Sequence, residues 1–319
     1  VNFLTIQSGI PYLPGELRML EKCSVCPRSC EVNRLAGETG YCGMNAELNI
    51  SSICIHRGEE PSISGPGGIC NVFFGGCNMS CVYCQNHEIS KRRYNPGNNY
   101  KVFESVLDTI SGMLSGDVVA VGFVSPSHQV PQVMAIIRGL QLRGLNPVTV
   151  FNTNGYDTAD TIDSLSGYIS VFLPDFKYSS NDLSKRFSDV ANYSETTLQA
   201  LKRMYFHMGS SVLSDEKGRA LRGLIIRHLV LPGHTADSIS VLRTIAEELS
   251  TGVHISLMSQ YHPDHEARCH PLLGRKLNAG EYHEVLEEME RLGFRNGYIQ
   301  DPESCENYRP DFSKEHPFE

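Results

Sequence analysis

Gly75-Gly76-Cys77-Asn78-Met79-Ser80-Cys81-Val82-Tyr83-Cys84-Gln85-Asn86 sets three cysteines in C-x3-C-x2-C spacing, directly after an apolar segment, Ile69–Phe74, that reads as a strand. Three thiolates from one short loop can hold three irons of a 4Fe-4S cube. With no fourth ligand, the last iron stays open to a small molecule. The two glycines permit the positive-φ backbone that such a wrap requires. The same spacing describes one face of a helix, but Gly75, Gly76 and Asn78 are poor helix formers at that point. Zinc remains open as the metal on spacing alone, since a catalytic zinc site also keeps its fourth position free.

The 319 residues around this stretch are 40% hydrophobic and 20% charged, an ordinary globular composition. At about 150 residues per domain the length suits two domains or one large α/β barrel. The net charge of −8, from 28 basic and 36 acidic residues, argues against a nucleic-acid binder that neutralises phosphates. No run approaches the ~18 apolar residues of a membrane span. Val1–Pro14 lacks the basic start and apolar stretch of a secretory signal. A cytoplasmic protein with no membrane or nucleic-acid partner is expected. Nine of the eleven cysteines fall between Cys23 and Cys84. The odd count and the long α/β pattern that follows favour metal binding in a reducing compartment over a disulfide scaffold.

Strands are expected at Ile69–Phe74, Val118–Val124, Pro147–Phe151, Tyr168–Leu173, Leu224–Leu231 and His254–Met258. Helical stripes alternate with them, as in Tyr282, Val285, Leu286, Met289 and Leu292. The fold class implied is α/β, a partial (β/α)6 parallel barrel with its chemistry at the C-terminal strand ends. A small cysteine-rich metal-binding module is expected over residues 1–64, with the barrel and a C-terminal extension over 65–319. Lys91–Tyr100 reads as a surface loop.

The Gly75–Asn86 stretch resembles the radical S-adenosylmethionine (radical SAM) signature C-x3-C-x-aromatic-C. It looks most like the branch containing the pyruvate formate-lyase activating enzymes, the glycyl-radical-enzyme activases. Gly65-Pro66-Gly67 and Phe73-Phe74 precede the first cysteine as they do in that branch. Asn152-Thr153-Asn154-Gly155, Asp175-Phe176-Lys177, Arg227-His228-Leu229-Val230-Leu231-Pro232-Gly233 and Tyr261-His262 follow in order at successive strand ends, similar to the family's motifs.

The resemblance implies a barrel of radical SAM type with a 4Fe-4S cluster on Cys77, Cys81 and Cys84. SAM would chelate the open iron. Tyr83 and His262 are expected to line its adenine, while Asp175, Lys177 and Arg227 hold its amino-acid and ribose end. Gln85, Asn86, Asn152 and Asn154 join the expected cofactor-binding set. Ser125-Pro126-Ser127-His128 stands where the family has a Gly-Gly-Glu-like turn, and hydroxyls or backbone carbonyls at Ser125 and Ser127 are expected to accept from the SAM ammonium. The implied activity is reductive cleavage of SAM to methionine and a 5′-deoxyadenosyl radical, fed by flavodoxin or ferredoxin. That radical would abstract hydrogen from a polypeptide glycine, or from another peptide or small molecule. The alternative from another class is a non-catalytic zinc or iron–sulfur adaptor.

A second constellation, Cys23, Cys26, Cys30 and Cys42, has C-x2-C-x3-C-x11-C spacing and suits zinc or a second 4Fe-4S cluster. His262, His265, Cys269 and His270 read as a polar loop over the barrel mouth, with a metal site as the rarer outcome. Cys54, Cys70 and Cys305 read as core or incidental thiols.

Overall fold

The structure is a computed structural model that describes residues 8–91, 100–301, 310–314 and 317–318. Most of the expected Lys91–Tyr100 loop, and Cys305, lie outside the described residues. The N-terminal half runs α1 (Pro14–Glu21), β1 (Ile50–His56), α2 (Pro61–Ser64), β2 (Ile69–Phe74), α3 (His87–Ser90), α4 (Phe103–Met113), β3 (Ala120–Val124) and α5 (Val130–Leu142). It continues through β4 (Val148–Thr153), α6 (Ala159–Ser164), β5 (Val171–Pro174), α7 (Asn181–Ser188), α8 (Tyr193–Met208) and β6 (Leu213–Ser214). The chain closes with β7 (Ala220–Leu229), α9 (Thr235–Glu248), β8 (His254–Met258), α10 (Ala279–Leu292) and β9 (Asn296–Ile299).

The sheet order is β1-β2-β3-β4-β5-β7-β8-β9, with β6 pairing on β7. From β2 to β9 every step along that path is parallel, while β1 on β2 and β6 on β7 are antiparallel. The fold is thus α/β with a mostly parallel sheet, and the six strands expected from sequence are β2, β3, β4, β5, β7 and β8. Sequence reasoning missed two strands on this path. Asn296-Gly297-Tyr298-Ile299 is too short and polar to announce β9, and β1 lies inside the segment set aside as a metal module. Among the described residues no ladder joins β9 to β1, so the sheet stays open.

Alternation along the strands explains where the polar residues go. Phe151, Phe172, Leu224, Ile226, Ile255 and Leu257 point outward into the main core beneath the helices. Residues of opposite parity point inward: Ile69, Ala120, Val150, Val171, Leu173 and Ile225 make a small apolar plug at the lower end. Two residues further along the same inward rows stand Asn152, Asp175 and Arg227. Their elevation at the C-terminal end is therefore fixed by the period of the strand. Of the helices behind, α10 shows how local sequence sets a boundary: Asn278 accepts from the Glu281 N–H while the Glu281 side chain accepts from the Asn278 N–H. No helix among the described residues is long and apolar enough to cross a membrane.

Candidate active site

The inward polar ends open into a cavity of about 1000 Å³. Cys77, Cys81 and Cys84 stand on its wall in the loop that leaves β2. Gly76 turns that loop at φ +74°, and the Cys42 carbonyl presses so close that a Cβ there would lie 2.5 Å from it. Each sulfur has a polar neighbour. Met79 N (3.4 Å) and Asn154 Nδ2 (3.5 Å) donate to Cys77, Ser188 Oγ donates to Cys81 (3.0 Å), and Ser90 Oγ lies 3.3 Å from Cys84. Burial pushes the Cys77 thiol up to about 12 and Cys81 to about 11, and raises Cys84 as well. Without a bound cation these thiols keep their protons at neutral pH, so metal binding must displace them.

The donor set fits an iron–sulfur cube: three thiols on one short loop, with a cavity lining that carries no fourth cysteine among the described residues. No three His, Cys, Asp or Glu side chains among the described residues converge as ligands of one single ion. A cube does not require that convergence, because each thiolate takes its own iron.

The same cavity holds a network that only part of the sequence reasoning foresaw. Arg227 Nε donates to Asp175 Oδ1 (2.8 Å) and its Nη2 donates to Asn152 Oδ1 (2.6 Å), with Glu59 Oε2 at 3.4 Å from Nη1. Lys177 Nζ donates to Asp175 Oδ2 at 2.5 Å. Asn71 and Asn152 both donate to Glu59 Oε1 (2.9 and 3.1 Å). Burial by itself would raise the Asp175 carboxyl, but Arg227 and Lys177 outweigh it and hold Asp175 below its ordinary range. Beside Glu59, Glu60 is buried; burial raises its carboxyl, and its Oε2 has no hydrogen-bond partner. Glu59 and Glu60 were missed because they sit on the turn between β1 and α2, where neither spacing nor periodicity marks them. A Glu pair just before Pro61 was the only signal.

Tyr83, Gln85, Asn86, Ser125, Asn152, Asn154, Asp175, Lys177 and Arg227 all line the cavity with the three cysteines. Asn154 also ties the cysteine loop to β4 by donating to Asn78 Oδ1 (2.8 Å). Gly155 behind it is obligatory, since a Cβ would fall 2.1 Å from the Asp175 carbonyl at φ +82°.

Two expected residues go elsewhere. Ser127 is wholly buried beneath β4, its hydroxyl 2.9 Å from Thr153 Oγ1. The backbone reverses at Ser125, at φ +51°, and carries the following residues away from the opening. His262 lines a neighbouring cleft of about 340 Å³ with Gln85, His87 and Asp264. Its neighbour Tyr261 does not line the cavity either: it is buried in the main core, its ring 5.9 Å from that of Tyr83 and its hydroxyl donating to the Leu273 carbonyl (2.7 Å). In the rest of that loop, His265–Cys269 forms a single 3₁₀ segment and Cys269 is exposed.

Behind the cysteine loop, Cys23, Cys26, Cys30 and Cys42 ring a second cavity of about 10 Å³, roughly the space of one water. Burial raises the Cys26 and Cys42 thiols, and Tyr41 N donates to Cys30 Sγ at 3.3 Å. Arg28 lies 3.6 Å from the centre of the Tyr41 ring and donates to the Asn78 carbonyl (2.9 Å), one residue from Cys77. The buried Arg34 donates to the His128 carbonyl (2.7 Å), and His128 Nε2 donates to the Gly75 carbonyl (2.8 Å). The two cysteine groups therefore share one wall. Cys54 and Cys70 are buried in β1 and β2 as core thiols.

The family model of the radical SAM superfamily matches residues 71–243, more than half of the chain. The chain belongs to the radical SAM superfamily. An uncharacterized protein of Methanocaldococcus jannaschii is 30% identical over 285 residues, covering 86% of this chain and 75% of that protein. Solved structures with similarity include SuiB of Streptococcus suis bound to S-adenosylmethionine, at 13% identity and TM-score 0.46, covering 71% of this chain and 48% of SuiB. A radical SAM methyltransferase of Sphaerobacter thermophilus has 13% identity and TM-score 0.49, covering 72% of this chain and 65% of the methyltransferase. The chain thus spans about half the length of SuiB. Membership makes this chain a radical SAM enzyme, and the family implies a 4Fe-4S cluster and SAM as its cofactors. The cavity with three cysteines is where this chain offers matching ligands.

Proposed function

We propose that this chain binds SAM against the Cys77–Cys84 loop, cleaves it reductively, and uses the product radical to take hydrogen from a substrate in the same cavity. When bound, the cluster supplies the electron that splits SAM into methionine and a 5′-deoxyadenosyl radical. The single observation that carries this reading is the cavity itself, whose lining holds both the three cysteines and the Asp175–Lys177–Arg227 group. Its volume stands at the upper end of small-molecule sites, which leaves room for more than the cofactor.

The chain's own residues divide the work of holding SAM. Lys177, with one of its three donors committed to Asp175, offers the remainder to a carboxylate. Arg227 is already surrounded by Asp175, Asn152 and Glu59, so its part is to fix those acceptors rather than to clamp SAM. Asn154 and Ser188 hold the cysteine loop in register, and Tyr83 gives an aromatic edge to the cavity. Enclosure by these groups orients SAM and excludes water from the reacting end.

For the substrate, the ordered motif series favours a polypeptide, with a glycine of a glycyl radical enzyme as the finer form of the reading. A one-electron donor of flavodoxin or ferredoxin type would serve it. The Cys23–Cys42 group is proposed to hold a metal, zinc or a second 4Fe-4S cluster; zinc would require these thiols to draw together, since no three of them converge on one point. Anaerobic reconstitution with iron and sulfide, followed by SAM and dithionite, tests the core claim. The wild type should release 5′-deoxyadenosine and methionine, and Cys81→Ala should release none. An iron-replete wild type that leaves SAM intact refutes the proposal. Zinc, iron and sulfide analysis of the same samples assigns the N-terminal metal.

A further inference from the structure

We propose that Ser188, Tyr178 and Tyr83 form a file of hydroxyls that sets how readily the iron–sulfur group on Cys77, Cys81 and Cys84 accepts its electron. This rests on the reading above. Ser188 Oγ donates to Cys81 Sγ at 3.0 Å, Tyr178 Oη lies 2.7 Å from Ser188 Oγ, and Tyr83 Oη lies 2.5 Å from Tyr178 Oη. Ser188 and Tyr178 are wholly buried and Tyr83 is 6% exposed, so no bulk water competes for these contacts.

Chemistry fixes the direction of every proton in the file. A metal-bound thiolate has no proton and only accepts. Ser188 has one proton and gives it to Cys81, so its oxygen accepts from Tyr178. Tyr178 has then spent its own proton and accepts from Tyr83. Three O–H dipoles therefore point toward the sulfur, and in a low-dielectric setting each polarises the next. The backbone keeps the file aligned: Ser80 N donates to the Ser188 carbonyl (3.1 Å) and Val82 N to the Phe187 carbonyl (2.8 Å). The end of α7 thus grips the cysteine loop on both sides of Cys81. Contacts to the other two sulfurs are longer, at 3.3 to 3.5 Å.

One electron arrives from the external donor, no proton moves, and the cluster with its thiolates becomes one unit more negative. Dipoles with their positive ends at Cys81 favour the more negative form. Hydrogen bonds to the sulfurs are among the determinants of cluster potentials. Removing the file makes the cluster harder to reduce.

The experiment is a mediated redox titration of the anaerobically reconstituted full chain, followed by EPR without SAM. Ser188→Ala should keep its iron and sulfide and move to a more negative potential, by up to about tenfold in electron affinity, about 59 mV for a one-electron couple. Tyr178→Phe should move it less in the same direction, and Tyr83→Phe least. Unchanged potentials in variants with wild-type iron content, or shifts that do not follow this order, overturn the proposal. If Ser188→Ala fails to retain iron, the two Phe variants decide by the same criteria. A wild type that holds no 4Fe-4S cluster would instead refute the functional reading, and that result is visible before any variant is measured.

Discussion

Among single residues, Lys177 and Arg227 look alike in sequence and separate in the structure. Arg227 stands largely enclosed among Asp175, Asn152 and Glu59, and removing it leaves Glu59 with only its amide donors and Asp175 with Lys177 alone. Arg227→Met should cost about 3–5 kcal/mol of stability, read from urea unfolding of the metal-free protein; a loss below 1 kcal/mol would contradict the network. Lys177→Met should leave unfolding closer to wild type and weaken SAM binding to the reconstituted protein by tenfold or more, measured by equilibrium dialysis. Asp157 gives a pH prediction. Burial pushes its carboxyl up to about 6, against the hydrogen bonds from Thr153 and Ser127. An acid raised on folding contributes stability that is complete below its unfolded value near 4 and is lost as pH rises through about 6. Asp157→Asn should flatten that slope, recovering about 3 kcal/mol at pH 7.5 relative to its effect at pH 4. Parallel pH curves for the two proteins would contradict it. The cysteines stood out because cluster ligation demands thiols at short spacing, whereas Asp175-Phe176-Lys177 was marked only by its resemblance to a family motif; both line the same cavity. Glu59 was not, since it meets Arg227 across 168 residues.

Secondary structure elements were legible where periodicity is strong. The stripe from Tyr282 to Leu292 gave α10, and fully buried strands such as β3 announced themselves as continuous apolar runs. What periodicity does not give is which of two adjacent polar residues faces the opening. His262 was expected at the adenine, yet it lines the neighbouring cleft, while Tyr261 beside it packs into the core against Tyr83. Ser127 went astray for a comparable reason, a reversal at Ser125 that no residue type there advertises. Asn154 braces the cysteine loop from the end of β4, beside the bond that Asn78 Nδ2 donates to the Tyr156 carbonyl (2.7 Å). Asn154→Ala should leave the fold intact, as far-UV circular dichroism would show, yet lower iron retention at Cys77–Cys84 on gel filtration. Full retention would mean that the loop needs no brace from β4.

For the whole molecule, the expected division at residue 64 falls between two strands that pair antiparallel from His56–Ile69 to Ser52–Phe73, with a register shift before Ile50–Phe74. Residues 57 to 60 also contribute to the cavity wall. The cysteine-rich segment and the barrel are joined twice more behind the active loop, through Arg28 and through Arg34 with His128. Cys26→Ala should therefore reduce thermal stability, which differential scanning fluorimetry under argon would register; an unchanged melting temperature would contradict a shared wall.

That shared wall bears on how such a protein can be inherited or borrowed. A barrel transplanted without its first 64 residues would lose β1 and lay bare the long side of Ile69–Phe74, a strand whose six residues are all buried. It would also open the back of the turn at Gly76 to solvent. Exposed edges of that kind invite neighbouring copies to add on, so the severed barrel should precipitate rather than work. The catalytic half and its cysteine-rich companion would have to travel through gene fusions as one indivisible cassette.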